Sequence, residues 1–283
     1  MKKQLAFLFC ILFAASNLPA QLPQKKLQVT YIANEGFMLK TDRHKILIDA
    51  LFSDGYGYFA RPSDETMQKI LSFQSPFDSI NFCLLTHYHK DHCEPKLISS
   101  YLKKRPDVKL VTNKPALVFI DGDQFGFIKL RKQFCELTPA ENSHVSQTVN
   151  QITINSLGIK HMSFYQDSVN VEEYMFNVAY YFEMDGFTIF HSGDIKNEEL
   201  KTYLSNPGNR IEKTDVAFVY YEMLNNGTSD LEYLLQTLHP RYLIVMHIPP
   251  SMSDKWATKA EKLRTVFPNL IVFGKELETK TID

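Results

Sequence analysis

Thr86-His87-Tyr88-His89-Lys90-Asp91-His92 follows an apolar run at 82–85 and places four potential metal ligands within six residues. In extended or looped backbone, His87 and His89 project the same way, because side chains alternate with period two. Asp91 and His92 come after the chain has begun to turn, so they can face a second point nearby. One loop can therefore serve two metal ions. The simpler readings are a solvated His-rich loop or a closed structural zinc site; a catalytic site instead keeps a position open.

A single loop cannot complete two coordination spheres, so further ligands are expected elsewhere. Three candidates stand at strand ends: His161 after a strand at 151–160, Asp194 after Phe187–His191, and His247 after a strand at 241–246. Rigid scaffolds commonly present functional groups on such loops. His144 competes with His161, but it sits in polar Glu141-Asn142-Ser143, whereas His161 directly follows a strand. His191 lies within an apolar strand and reads as a core histidine or a hydrogen-bond partner of a ligand. His44 and His239 sit at turns and are expected to be solvated. Cys93, beside His92, offers a thiolate, but the loop and the three strand-end residues already supply candidate ligands.

The surrounding pattern is α/β. Short strands at Leu27–Ala33, 37–40 and 45–49 are separated by turn signals at Asn34-Glu35-Gly36 and Asp42-Arg43-His44, which reads as an antiparallel start. A helix is expected over 64–73, and then strands and helices alternate. The strands fall at 82–86, Lys109–Thr112, 151–160, 178–184, Phe187–His191, 215–220, 241–246 and 270–273. The helices fall at Pro95–Lys104, Asn197–Leu204, 229–238 and 253–266. Such an order predicts a sandwich with sheets inside and helices outside. Residues 113–140 carry helix patterns whose Phe119, Phe125, Phe127 and Phe134 read as packing. No Pro/Gly/Ser-rich linker divides the chain, so 21–283 is expected to form a single domain.

Phe52, Tyr56, Tyr58 and Phe59 put four aromatics into eight residues. The included Gly55-Tyr56-Gly57-Tyr58-Phe59-Ala60 is a poor dinucleotide fingerprint, because Arg61-Pro62 follows rather than a helix start. The stretch reads either as an aromatic loop beside the cleft or as a flap packed on the core. Tyr88, Phe164, Tyr165, Tyr220 and Tyr221 are further candidates for lining it, and 164–176 is the expected place for substrate-specific structure.

Composition bounds the partners. Of 283 residues, 44% are hydrophobic, too many for intrinsic disorder. Thirty-one Lys+Arg against 32 Asp+Glu leave a formal charge of −1, which gives no basic field to attract nucleic acid. Met1-Lys2-Lys3, an apolar run at 5–15 and Ser16-Asn17-Leu18-Pro19-Ala20 have the order of a cleaved secretory signal over residues 1–20. The run is short for a membrane anchor. The mature protein is thus expected to be exported, periplasmic or extracellular, without stable membrane insertion. Its cysteines would be Cys83, Cys93 and Cys135, an odd set without CxxC spacing and so no disulfide framework.

The ordered set Asp49, His87-x-His89-x-Asp91-His92, His161, Asp194 and His247 resembles the metallo-β-lactamase superfamily of metal-dependent hydrolases, over nearly the whole mature chain. Asn34-Glu35-Gly36-Phe37 and Met246-His247 look like its ascorbate-6-phosphate-lactonase-like branch. The resemblance implies a four-layer αβ/βα sandwich with a two-metal site at the sheet edges. His87, His89 and His161 would hold one ion and Asp91, His92 and His247 the other, with Asp194 bridging. Asp49 would support the histidine loop rather than ligate. Imidazole and carboxylate ligands suit Zn²⁺ best and also accommodate Mn²⁺ or Fe. Such a pair supplies hydroxide near neutrality by lowering the pKa of bound water to about 7. The implied reaction is hydrolysis of an ester, lactone, phosphodiester or related bond in a small-molecule or lipid-like substrate, with Asp194, Asp91 and Asp49 as the catalytic acids. The alternative is a non-catalytic metal-binding scaffold or sensor on the same fold.

Overall fold

Residues 25–123 and 127–283 are described by the computed structural model; the secretory-signal reading of residues 1–20 and Phe125 lie outside them. The described residues begin with three antiparallel strands, β1 (Leu27–Ala33), β2 (Gly36–Lys40) and β3 (Lys45–Ile48). The turn after β1 puts Asn34 at φ +52°, a conformation that asparagine tolerates better than most residues. A Cβ at Gly36 would stand 2.9 Å from the carbonyl oxygens of both Ala33 and Asp49. Only glycine lets β2 begin this close to the end of β3.

After helix α1 (Asp64–Leu71), whose first turn is capped by the Ser63 hydroxyl accepting from the Thr66 N–H, the pairing turns parallel. Strands β4 (Phe82–Leu84), β5 (Lys109–Thr112) and β6 (Phe134–Glu136) are added in that sense. Helices α2 (Pro95–Lys104), α3 (Lys114–Asp123) and α4 (Phe127–Leu130) return the chain between them. Pro95 suits the first turn of α2, where its missing N–H would have no partner anyway.

The second sheet repeats this plan. Strands β7 (His144–Val149), β8 (Ile152–Leu157), β11 (Ala179–Met184) and β12 (Phe187–His191) pair antiparallel. The small hairpin of β9 (Tyr165–Gln166) and β10 (Val169–Asn170) lies between β8 and β11. Strands β13 (Val216–Tyr220), β14 (Tyr242–Met246) and β15 (Leu270–Val272) then join in parallel. Each is preceded by a helix, respectively α5 (Asn197–Leu204), α6 (Thr228–Leu238) and α7 (Ser253–Arg264). The last strand, β16 (Thr279–Ile282), crosses back to pair with β1 on the first sheet.

Three apolar clusters fix the layers. Val29, Phe37, Ile48, Phe182, Phe218 and Ile244 belong to the cluster between the two sheets. Ile70, Ile98, Tyr101 and Ile120 bury the inner faces of α1, α2 and α3 on the first sheet. Leu200, Leu234, Trp256 and Leu263 do the same for α5, α6 and α7 on the second. The order is helix, sheet, sheet, helix, as the resemblance implied.

Several expectations need correction. β8 ends at Leu157 rather than Lys160, so His161 follows it through a short loop. His144, beside polar Glu141-Asn142-Ser143, opens edge strand β7, opposite Leu157. His44 is not solvated, because its Nδ1 lies 2.9 Å from Asp185 Oδ2 and its Nε2 3.0 Å from the Asn150 carbonyl. His239 is exposed, as expected, at the left-handed end of α6. Among the described residues no helix is long and apolar enough to cross a membrane.

Candidate metal centre

Every expected site residue stands in a loop beyond the carboxyl end of a strand, where open α/β sheets commonly place ligands. Asp49 follows β3 and the histidine loop follows β4; His161, Asp194 and His247 follow β8, β12 and β14. Asp49 and His247 sit at φ +43° and +63°, backbone strain of the kind concentrated at functional sites. Gly193, at φ +56°, makes the turn before Asp194, and a Cβ there would come within 2.4 Å of Asn177 Oδ1. That oxygen accepts the Asp194 N–H at 3.3 Å, which fixes the carboxylate from its own backbone.

The side chains gather into two groups. Potential ligand atoms of His87, His89, His161 and Asp194 lie within 4.8 Å of one another, and so do those of Asp91, His92 and His247. Asp194 joins them: its Oδ2 is 3.5 Å from His161 Nε2 and 3.3 Å from His247 Nε2, and its Oδ1 is 3.5 Å from His92 Nε2. His247 Nε2 also lies 3.2 Å from Asp91 Oδ2. All of these residues are buried except His89, which is half-buried.

Outer partners set the ring orientations. Asp49 accepts from the Thr86 N–H at 2.8 Å and the Thr86 hydroxyl at 2.6 Å, and its Oδ2 lies 3.1 Å from His92 Nδ1. With its proton committed to Asp49, the Thr86 hydroxyl accepts from His87 Nδ1 at 2.9 Å. His161 Nδ1 donates to the Met162 carbonyl at 2.9 Å. In each ring the free Nε2 lone pair is thereby turned inward, the tautomer a metal requires. Asn34 Nδ2 donates to Asp91 Oδ2 at 3.0 Å, which aims that carboxylate.

The donor set fits divalent ions on two counts. Tetrahedral ligands at 2.0–2.1 Å from zinc stand about 3.3 Å apart, and the inward contacts to Asp194 and between Asp91 and His247 fall near that value. In addition, His161 Nε2 and Asp194 Oδ1 are buried without a hydrogen-bond partner. Buried polar atoms are ordinarily satisfied, so these two await one.

Charge sharpens the same picture. Burial opposes ionisation of Asp194, yet His247, His92 and His161 hold its carboxyl well below the usual carboxylate range. Burial likewise disfavours a charged His247, but Asp194 and Asp91 outweigh it and bring the imidazole up to about 10. Burial and the neighbouring His92 push His87 well down.

One buried acid was not anticipated. Glu35 read as a turn residue, and the turn is present, but its side chain points inward and is fully buried. Both carboxylate oxygens lack a hydrogen-bond partner, and Oε2 lies 3.9 Å from His92 Nδ1. Burial first, then Asp194 and Asp49, push its carboxyl well above the ordinary value. His191 stands near Glu35 and Asp49, and burial lowers it to about 4, so it is neutral. Glu172, also unanticipated, meets His89 Nε2 at 3.1 Å. The signal available was its place in 164–176, the stretch set aside for specificity.

Other tempting residues are occupied elsewhere. Cys93 is buried, bridges β-fashion to Leu51, and has its thiol pushed well up by burial and Asp49. Tyr88 packs on Phe119. Both readings of the aromatic loop apply in part: Phe52 is core, whereas the ring of Phe59 stands edge-on to His247 at 4.2 Å. Tyr56 accepts the Lys90 N–H through its hydroxyl at 3.2 Å and is half exposed. Beside His247 opens a cleft of about 710 Å³ whose walls include Asn34, Arg61, Trp256, Arg264, Phe273 and Glu276.

The model of the β-lactamase superfamily domain matches residues 28–247. Similar solved structures include Igni18, a metallo hydrolase from Ignicoccus hospitalis, at 17% identity and a TM-score of 0.59 over 91% of this chain and 99% of that one. YhfI of Bacillus subtilis, a metallo-β-lactamase fold protein, matches at 15% identity and 0.56, covering 91% and 100%. CmlA of Streptomyces venezuelae, a diiron β-hydroxylase, matches at 12% and 0.53, covering 92% of this chain and 54% of that one. No curated protein sequence matches the chain. At these identities the solved structures speak for the fold. The match to the family model, which spans most of the chain, speaks for membership, and the protein belongs to the β-lactamase superfamily.

Proposed function

We propose that the protein is a two-metal hydrolase of a small organic substrate, with zinc as the resident ion. The observation that carries this reading is the junction at Asp194, whose carboxylate faces both His161 and the His92/His247 pair. His87, His89 and His161 would hold one ion, Asp91, His92 and His247 the other, and Asp194 would touch both. Ions held there would lower the pKa of coordinated water toward neutrality and polarise the bond to be cleaved. The chain contributes preorganisation. Asp49 and Thr86 lock His87 and His92, Asn34 aims Asp91, and Phe59 and Tyr220 wall His247 with their rings at 4.2 and 5.2 Å. The adjoining cleft, at about 710 Å³, falls in the range that small-molecule sites occupy. Its mixture of Trp256 and Phe273 with Arg61, Arg264, Asp254, Glu261 and Glu276 suits a substrate with both apolar and polar parts.

Metal analysis of purified protein, paired with a panel of esters, lactones, thioesters, β-lactams and phosphodiesters, tests the reading. Two ions per chain and chelator-sensitive turnover of one class are expected. Two ions without any turnover would point to the scaffold or sensor alternative, and no bound ion would overturn the centre itself.

A further inference from the structure

We propose that Glu172 is a positioning residue for His89: its carboxylate takes the ring's Nε2–H and so keeps Nδ1 turned into the first donor group. The inference rests on the metal-centre reading above. His87, His92 and His161 each lean on a partner next to them in the chain or in the buried interior, namely Thr86, Asp49 and the Met162 carbonyl. His89 is placed differently. Its Nδ1 lies 3.0 Å from His87 Nε2, inside the group, while its Nε2 faces outward and meets Glu172 Oε2 at 3.1 Å. An imidazole that offers Nδ1 as donor must carry its proton on Nε2, and that proton needs an acceptor. The side chain of His89 is 18% exposed, so without the acceptor its ring could turn toward water.

Glu172 is held where it can serve. It follows the β9–β10 hairpin, and its backbone N–H donates to Asn170 Oδ1 at 3.2 Å, an oxygen that also accepts the Phe164 N–H at 3.1 Å. The Val171 N–H donates to the Phe164 carbonyl at 2.9 Å, and the Met175 N–H to the Glu172 carbonyl at 3.0 Å. One asparagine thus closes the excursion and presents the carboxylate. At 19% side-chain exposure, the contact is dry enough for a charge-assisted hydrogen bond to outweigh an ordinary surface pair. The same excursion carries exposed Phe164, Tyr165, Val169 and Tyr174. Glu172 therefore ties the segment expected to read the substrate to a ligand of the first ion.

Cobalt titration of the full protein in competition with a chelator, followed by the visible absorption of bound cobalt, tests this. Wild type is expected to bind two ions. Glu172→Ala should weaken one of them by about 10- to 100-fold, the usual effect of losing an outer partner, with a changed spectrum for that ion only. Glu172→Gln, which keeps an acceptor oxygen, should recover most of the loss. Glu173→Gln removes the same charge from the exposed neighbour and should match wild type. Unchanged affinities and spectrum in Glu172→Ala, or an equal loss in Glu173→Gln, would overturn the proposal. A wild-type protein that takes up no cobalt would instead overturn the centre on which it rests.

Discussion

The Nε2 atoms of His92 and His247 stand 3.3 Å apart although 155 residues of chain separate them. Two imidazole nitrogens at the edge length of a zinc tetrahedron, both buried, are a poor arrangement without something to share. Asp91 and Asp194 supply the negative charge that draws a cation into that space. Asp194→Ala should therefore abolish chelator-sensitive hydrolysis, by more than about 100-fold, since a shared ligand should count for more than an outer one. Circular dichroism should show the fold retained, and metal analysis fewer than two ions.

Asp49 acts one step further out. Removing it leaves the Thr86 N–H and the His92 Nδ1–H without their acceptor in a fully buried place. Asp49→Ala should cost about 1–3 kcal/mol in chemical denaturation for each buried donor left unpaired. It should also lower metal affinity by about 10- to 100-fold. Asp49→Asn keeps one acceptor and should fall between.

Protein stripped of metal should show a pH signature of its own. His247 titrates at about 10 in the fold against 6.5 when free, so its pairing with the acids is fully present below pH 6.5 and is lost as pH rises toward 10. His191 runs the other way: lowered to about 4 from 6.5, it removes stability as pH falls through that window. In thermal melts with chelator, the stability advantage of wild type over His247→Gln should be full below pH 6.5 and shrink as pH rises toward 10.

Glu35 gives a contrast between loaded and stripped protein. Its raised carboxyl means that the metal-free fold retains a proton that the unfolded chain releases above about pH 4.5, so this acid weakens the fold as pH rises. Glu35→Gln should then be more stable than wild type at pH 8 without metal, the difference vanishing near pH 4. With metal loaded, the nearby cations favour the carboxylate, and the advantage should shrink or reverse. Melts of the two proteins with and without zinc decide it.

Tyr180, on the second sheet, donates its buried hydroxyl to the Leu85 carbonyl of the first at 2.9 Å, just before the histidine loop. Tyr180→Phe should cost about 1 kcal/mol by denaturant titration, the value of one net hydrogen bond. Leu85 still accepts from the Thr112 hydroxyl at 2.8 Å, so the loop should keep its metal.

The histidine loop was legible because its candidate ligands are sequence neighbours, and His161, Asp194 and His247 because each trails an apolar strand. Asp49 came from the family resemblance; in the fold it accepts from the Thr86 N–H and lies against His92 Nδ1. Glu35 stayed hidden because Asn34-Glu35-Gly36 is a real turn, and turn chemistry says nothing about which way the middle side chain points. Glu172 meets His89 only through the return of a hairpin whose strands, Tyr165–Gln166 and Val169–Asn170, are too short to read as a period. Strand β7 was lost for a related reason: as a sheet edge it is mostly exposed and carries polar residues. Thr279–Ile282 is equally polar and is made a strand by the register of β1.

The histidine loop and Asp49 are carried by one sheet, and His161, Asp194 and His247 by the other. Cations bound among them would act as a rivet through the seam of the sandwich, belonging to neither half alone. Loading then weighs on assembly as well as on chemistry. Each free-energy increment of binding is shared with the docking of the halves, and whatever strips the ions loosens the join between them.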